Sequence, residues 1–329
     1  MHWTVYYAAR NSVLSSFDGE RVIDSNFIGS TGDGRVGPMG SSSVATPAKL
    51  EVRPIAGSLG AEVIGLDFSA VSAVADELKK ALNENLVLFM SGLDPTAEGL
   101  RDIAAAFGPL EVHPYLDKVD PEIPEVIVLD TSTTPKADVW HTDFTCSDHP
   151  PVAALLHMVE SPPWGGDTMW INCYEVYDSL SSAMKQFLEG LTCLHEDTRT
   201  GGAPAAEHPV VRVHPDTGRR SLYVNKQFSR RIPQLSRPES QNLLSFLFRW
   251  EEQVKFSCRW RWNVGDVVLW DERVTLHSVV DDTSERRVLR RATVLGDDPT
   301  PPDDAEILPR HRTPKTASSG FYGIGGYEF

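Results

Sequence analysis

Val254-Lys255-Phe256-Ser257-Cys258-Arg259-Trp260-Arg261-Trp262 alternates apolar and polar residues without a break. Successive side chains of an extended chain point to opposite faces, so this pattern predicts a strand with one buried aromatic face. Asn263-Val264-Gly265-Asp266 follows as a turn, residues 267–270 as a wholly apolar strand, and residues 287–296 as a last strand. Upstream, residues 240–254 carry the spacing of an amphipathic helix. Residues 210–213 and 222–225 form a hairpin around Pro215-Asp216-Thr217-Gly218. Residues 176–191 read as mostly helical, and 152–159 and 168–172 as strands. Nearer the start, residues 50–66 read as a glycine-punctuated strand pair and 71–85 as a helix with Val74, Leu78 and Leu82 on one face. Residues 86–90 then read as a buried strand, Thr96 as the cap of a helix reaching Phe107, and 126–129 as a strand. The strand–helix alternation of a doubly wound sheet is absent, and so is a Gly-x-Gly-x-x-Gly phosphate loop. Short strands separated by Gly/Pro turns favour a mainly β, α+β fold, a jelly roll with helices packed outside.

Composition bounds the function. The chain has 329 residues, 41% hydrophobic and 23% charged, within the range of a globular protein. Its net charge is −15, from 31 basic against 46 acidic residues, which argues against sequence-independent nucleic-acid binding. No run of 18 apolar residues is present, so no membrane span is expected. Cys146, Cys173, Cys193 and Cys258 lack CxxC pairing and read as reduced cysteines of a cytoplasmic protein. Residues 1–48 are rich in Ser, Gly and Asp and read as a disordered extension, or as residues ahead of a true start at Met39. Residues 49–298 form the domain. Residues 299–329 form a Pro-rich tail whose aromatic, glycine-rich end either docks on the domain or a partner subunit or stays disordered.

Val139-Trp140-His141-Thr142-Asp143-Phe144-Thr145 carries the chemistry. If the segment is extended, His141 and Asp143 point the same way, giving an imidazole and a carboxylate from one strand end. Two histidines and one carboxylate on one face of a metal leave three positions open, an arrangement suited to non-haem Fe(II) that binds a co-substrate and dioxygen together. The pair alone is a weak signal, because His-x-Asp recurs at His195/Asp197 and His214/Asp216. The His214 pair sits in the hairpin turn, which accounts for Asp216 and Gly218 without a metal. His277, just beyond two strongly signalled strands, is the candidate third ligand. In the last strand Arg287, Leu289, Arg291 and Thr293 share one face. Two arginines on the face of a central strand are costly to bury unless they meet anions, and a guanidinium binds carboxylate or sulfonate in bidentate fashion. Thr168, after a Gly-Gly-Asp turn, can support the same carboxylate.

These blocks resemble the taurine dioxygenase family, Fe(II)- and 2-oxoglutarate-dependent enzymes on a double-stranded β-helix of the cupin-like kind. The resemblance is carried by Trp140-His141-Thr142-Asp143, Gly165-Gly166-Asp167-Thr168, Glu207-His208-Pro209-Val210-Val211-Arg212 and Trp260-Arg261-Trp262. It continues through Trp270-Asp271, Arg273-Val274-Thr275-Leu276-His277 and Arg286-Arg287-Val288-Leu289-Arg290-Arg291-Ala292-Thr293, in the family's order, from about Leu50 to Asp298. It implies that His141, Asp143 and His277 hold Fe(II), and that Thr168 and Arg287 bind the distal carboxylate of 2-oxoglutarate. It implies that His113, the Phe144 amide and Arg291 face a small anionic substrate, with dioxygen in the remaining position. It also implies succinate and CO2 as products, and an aldehyde with sulfate or sulfite when the hydroxylated substrate collapses. A homo-oligomer, dimer or tetramer, is expected on the same ground, with no nucleic-acid or membrane partner.

The chain departs from the taurine-specific pattern. Lys136, Ala137 and Leu116 stand where polar groups and a tyrosine surround the taurine amine. An ammonium finds repulsion at Lys136 and nothing at the other two, which favours an alkyl sulfate or a longer sulfonate. The segment between Asp197 and Glu207 is shorter than in many members. An aryloxyalkanoate acid is the alternative substrate. Outside the dioxygenases, a zinc hydrolase on the same triad and a non-catalytic cupin-like binder stay open. Asp143→Ala should abolish iron-dependent turnover, whereas Asp197→Ala and Asp216→Ala should leave it nearly intact. Loss in all three variants would show that the wrong pair had been chosen.

Overall fold

The computed structural model describes residues 50–66, 71–113, 116–200 and 204–312. The expected N-terminal extension and the aromatic end of the tail lie outside these residues. In chain order the first elements are β1 (Glu51–Pro54), β2 (Ala61–Ile64), α1 (Val71–Asn85), β3 (Val87–Met90), α2 (Ala97–Ala105), β4 (Lys118–Asp120) and β5 (Ile123–Asp130). Next come β6 (Ala153–Glu160), β7 (Thr168–Asn172), α3 (Cys173–Asp178), α4 (Ser182–Glu189), β8 (Thr192–Glu196), β9 (Ala205–Pro209), β10 (Val211–Val213), β11 (Arg220–Leu222) and β12 (Ser229–Arg231). The last are α5 (Arg237–Glu251), β13 (Ser257–Trp260), β14 (Val267–Asp271), β15 (Thr275–Val279) and β16 (Val288–Val294). The fold is mainly β with flanking helices, as the sequence predicts.

Eight strands pair in the order β1-β2-β3-β14-β6-β16-β5-β4, and three more in the order β13-β7-β15. The period-two rule then builds the core. On one face of the large sheet Leu88, Met90, Leu155, Val267, Leu269 and Ala292 pack against Val74, Leu78 and Leu82 of α1 and Leu100 and Ile103 of α2. On the other face Val87, Phe89, Leu156, Met158, Val268, Trp270 and Leu289 pack against Trp170, Cys258 and Trp262, which belong to the small sheet and its flank. A strand covered on both faces reads as a continuous apolar run, which is why β3 and β14 do. A third cluster joins Ile171 and Leu276 to residues of α3, α4, α5 and the β10–β11 hairpin. The first residues of the expected tail are tied down: Leu308 N–H donates to Gly190 and His311 N–H to Pro233.

Three local readings need correction. The nine-residue strand shrinks to β13, because residues 254–256 form a 3-10 turn and Val254 is 83% exposed. Phe256 and Cys258 would share a face in one strand, yet they enter different core clusters, so the chain changes direction between them. The helix expected over 176–191 is two helices. Ser181 accepts from the Met184 N–H and starts α4 afresh, competing with continuation of α3. Helix α5 starts at Arg237 rather than residue 240, because Ser236 and Glu239 close a capping box with Pro238 in the first turn. Strands β4, β8, β9 and β12 are short and lack a signal of comparable strength in the sequence.

Leu155 sits fully buried in the middle of β6, between neighbours that cannot collapse into a void. Leu155→Ala should lower the unfolding free energy by about 2–5 kcal/mol, measured by urea denaturation. A loss below about 1 kcal/mol would mean that this layer is loosely packed.

Candidate metal centre

His141 and His277 face each other as an isolated antiparallel pair. The His141 N–H donates to the His277 carbonyl at 3.1 Å, and the His277 N–H to the His141 carbonyl at 2.7 Å. Opposed residues of such a pair put their side chains on the same face, and the two rings lie 4.1 Å apart, centroid to centroid. The segment is therefore extended at His141 only; a turn begins at Asp143, so the strand end expected over 139–145 is a single bridge followed by a turn. The turn still brings the carboxylate back. Asp143 Oδ1 lies 3.5 Å from His141 Nε2 and Oδ2 lies 3.8 Å from His277 Nε2. One ligand atom from each of the three buried residues falls within 4.8 Å of the others.

Hydrogen bonds fix how these groups present themselves. His141 Nδ1 lies 2.6 Å from the Val139 carbonyl, which can only accept, so Nδ1 carries the proton and Nε2 keeps its lone pair for the site. Thr142 Oγ1 donates to the Thr275 carbonyl at 2.7 Å, pinning the residue between the two candidate ligands. Burial holds His277 well below its usual pKa, reinforced by His141 and Arg291, so its imidazole is neutral. Burial opposes ionisation of Asp143, but the Arg291 guanidinium beside it keeps its carboxyl well below the ordinary range. Two imidazoles and one carboxylate are the donor set that suits a divalent first-row ion with open positions. The residues fit Fe(II).

The arginines arrive from β16. Arg287 stands immediately before its first residue, and Leu289 and Arg291 follow on the face that looks into the space between the sheets. Arg287 is 5% exposed, and burial pulls its guanidinium down to about 10, so it stays charged near neutral pH. It donates through Nη2 to Thr168 Oγ1 at 3.0 Å, while its Nε is buried with no hydrogen-bond partner among the described residues. A buried cation with an unused donor, beside a threonine hydroxyl, is a site for a carboxylate. Trp262 Nε1 also donates to Thr168 Oγ1, at 3.0 Å, and the Arg287 guanidinium lies over the Trp262 ring. Gly166 holds this corner with φ of +67°, its N–H donating to Asp282. Arg291 forms an ion pair with Asp143 and has a buried Nε without a hydrogen-bond partner among the described residues. His113 is half-buried, its ring edge-on to Phe144 at 6.0 Å; burial, then Arg291 and Lys118, lower its pKa.

The contacts group the expected site residues in sets: His141, Asp143 and His277 with Arg291, Arg287 with Thr168, and His113 with Phe144. The other His-x-Asp pairs are engaged elsewhere. Asp197 is bound by Arg199, and Asp216 by Arg273. Asp271 is buried between His214 and Arg273 and touches no candidate ligand in the hydrogen-bond pattern. Lys136 does not face the site as a free cation: it pairs with Asp281 and donates to the Thr283 carbonyl. Two contributors went unread in the sequence. Trp262 looked like core alone, but its indole N–H is part of the Thr168 corner. Glu272 is wholly buried, accepts from the Asp143 N–H at 3.1 Å and from Trp270 Nε1 at 2.8 Å, and approaches His277 Nδ1 at 3.9 Å. Burial and the neighbouring Asp143 charge push its carboxyl well above the usual range, so it is a neutral hydrogen-bonding group. An acidic residue ending the apolar run before His277 was the available signal.

The fold and this constellation define a metal-dependent oxygenase. Residues 51–293 match the Taurine catabolism dioxygenase TauD, TfdA family, and the chain belongs to that family. An alkylsulfatase of Acinetobacter baylyi is 32% identical over 274 residues, covering 76% of this chain and 86% of that protein. An alpha-ketoglutarate-dependent sulfate ester dioxygenase of Pseudomonas putida is 32% identical over 292 residues, covering 79% of this chain and 95% of that protein. A solved taurine dioxygenase structure from Burkholderia xenovorans superposes with a TM-score of 0.69 at 32% identity, covering 77% of this chain and 93% of that one. Membership makes the chain an Fe(II)- and 2-oxoglutarate-dependent dioxygenase and sets aside the zinc hydrolase and the non-catalytic binder.

Glu272→Leu should weaken Mn(II) binding to the purified chain at least about tenfold by calorimetry, because it removes the group that steadies Asp143 and His277. Glu272→Gln, which keeps a neutral acceptor, should stay within about threefold. Equal affinities for both variants would show that Glu272 only fills space.

Proposed function

We propose that this chain hydroxylates a small alkyl sulfate or sulfonate on a double-stranded β-helix scaffold, with 2-oxoglutarate as co-substrate. The observation that carries the reading is the placement of Arg287, just before β16, and Arg291, within it, four residues apart on one face, Arg287 buried beside Thr168 and Arg291 partly buried beside Asp143. The buried Arg287 needs an anion, the partly buried Arg291, already paired with Asp143, has room for a second, and the two play different parts. Arg287 and Thr168 take the distal carboxylate of 2-oxoglutarate; the unused Arg287 Nε supplies the second arm of a bidentate contact. His141, Asp143 and His277 hold the iron. Arg291, His113 and the Phe144 amide take the anionic head of the substrate, which fixes the neighbouring carbon against the metal.

When bound, Fe(II) and dioxygen supply the oxidation that converts 2-oxoglutarate to succinate and CO2 and places a hydroxyl on the substrate carbon. For a sulfate ester, R–CH2–OSO3− becomes R–CH(OH)–OSO3−, which loses hydrogen sulfate to leave an aldehyde. The walls around the site keep water away: Trp170, Trp262, Trp270 and Leu289 are all buried around the candidate ligands and Thr168. The sulfate ester and alkylsulfatase names of the relatives support the choice of head group. The lack of an amine contact at Ala137 and Leu116 supports it over taurine. A homo-oligomer in the cytoplasm belongs to the same reading.

The test is aerobic turnover of the Fe(II)-loaded chain with n-hexyl sulfate. Succinate and sulfate should appear in equal amounts, and succinate release should fall sharply without the sulfate ester. Succinate formed at the same rate whichever anion is added would contradict the substrate assignment. Arg287→Ala should raise the KM for 2-oxoglutarate by about 10- to 100-fold, and Arg291→Ala the KM for hexyl sulfate by a similar factor. The same pattern of defects in both variants would contradict the division of roles.

A further inference from the structure

Phe144 has φ of +49°, in the left-handed region that a non-glycine residue adopts only when its surroundings enforce it. It follows a candidate metal ligand, and its own side chain does not explain the conformation. The next residues do. Thr145 is fully buried, and its Oγ1 is hydrogen-bonded to His195 Nδ1 at 2.9 Å and accepts from Asn225 Nδ2 at 3.0 Å. Asn225 is itself held, its Oδ1 accepting from the Phe228 N–H and its own N–H donating to Ser229 Oγ. Two residues further on, the Ser147 carbonyl accepts from His208 Nε2 at 2.9 Å, and the Ser147 N–H closes the turn onto the Phe144 carbonyl. His195 and His208 pack edge to face at 5.4 Å, and both pack against Tyr223, His195 tilted and His208 edge-on. Burial first, and in His195 also the other imidazole, lowers both their pKa values, so neither brings a charge. None of His195, His208 or Asn225 appears among the candidate ligands, although all three are at least 96% buried.

We propose that this cradle, with His195 and Asn225 on Thr145 and His208 on Ser147, is the positioning device of the turn. It holds Phe144 left-handed, so that the Phe144 amide and the Asp143 carboxylate face the same space. His195 thus acts through Thr145, and His208 through Ser147. The proposal rests on the reading of the Phe144 amide as a contact for the substrate anion. It assigns a task to the second His-x-Asp histidine, which is not a ligand, and to the histidine of the Glu207-His208-Pro209 block. It also gives β8, β9 and β12, far from the arginines in sequence, a part in anion recognition.

The test compares Thr145→Val, which keeps the shape and removes the hydroxyl, with Thr145→Ser, which keeps the hydroxyl. His195→Phe is the independent second variant, since His195 Nε2 has no hydrogen-bond partner among the described residues and the hydrogen bond removed is the one to Thr145. The full-length chain loaded with Mn(II) and 2-oxoglutarate is used throughout. Amide hydrogen exchange is read over residues 143–147, and the Kd for n-hexyl sulfate by calorimetry. Thr145→Val and His195→Phe should each speed exchange in that segment about tenfold or more and weaken hexyl sulfate binding about tenfold, with Thr145→Ser within about threefold of the parent. If exchange over 143–147 in folded Thr145→Val and His195→Phe matches the parent, the cradle does not hold the turn and the proposal is overturned. Failure of the parent chain to bind hexyl sulfate would count against the substrate reading instead, and the exchange comparison would still decide the cradle.

Discussion

The site depends on one backbone pairing. His141 and His277 exchange two hydrogen bonds, and through that exchange two segments far apart in sequence place their imidazoles on the same face. His277 belongs to β15, which pairs on its other side with β7, so Thr168 and His277 share one small sheet, with His141 bridged to its edge. The pairing also fixes where the chain can turn. Asp143 lies two residues past the bridge, and the turn that starts there brings its carboxylate within reach of both rings. Any shift in register at His141 would send one imidazole to the opposite face. The energetic support for the pairing comes from outside it: the small sheet is sealed on one side by Trp170, Trp262 and Trp270 and on the other by Ile171 and Leu276.

The second constraint is charge burial. Arg287 and Asp143 are removed from water and Arg291 largely so, in a space flanked by aromatic and aliphatic groups. A low-dielectric surrounding strengthens whatever anions the arginines meet and penalises an unpaired charge. The same surrounding keeps His277 and Glu272 neutral, by raising the cost of charging either one beside its neighbours. The site therefore holds a small number of permanent charges in fixed places and several neutral hydrogen-bonding groups that orient them. That division suits a reaction whose oxidising chemistry belongs to the metal and co-substrate, with the protein supplying orientation.

Much of this was legible in the sequence, and the failures have physical reasons. Period-two and period-3.6 patterns located α1, β3, β14 and β16 because each packs a long apolar face. The turn residues around Gly218 located the β10–β11 hairpin. The same rule misled at Val254, where polar–apolar alternation continues through a turn that exposes Val254 and buries Phe256 in a different cluster. Glu272 was invisible because a buried neutral carboxyl has the same letter as an exposed anion; only its contacts with Asp143, Trp270 and His277 distinguish it. His195 was the reverse case, a motif that looked like a ligand pair but serves Thr145. Arg287 and Arg291 were readable because spacing along a strand states which residues share a face, and because a shared face with two cations needs a reason.

The most direct test of the central claim is an anaerobic titration of the purified chain with Fe(II) and then 2-oxoglutarate, watching the visible spectrum. If His141, Asp143 and His277 hold iron with open positions beside Arg287, a metal-to-ligand charge-transfer band should grow to saturation at one 2-oxoglutarate per iron. Iron binding without such a band would mean that the keto acid does not reach the metal, and would contradict this account of the site.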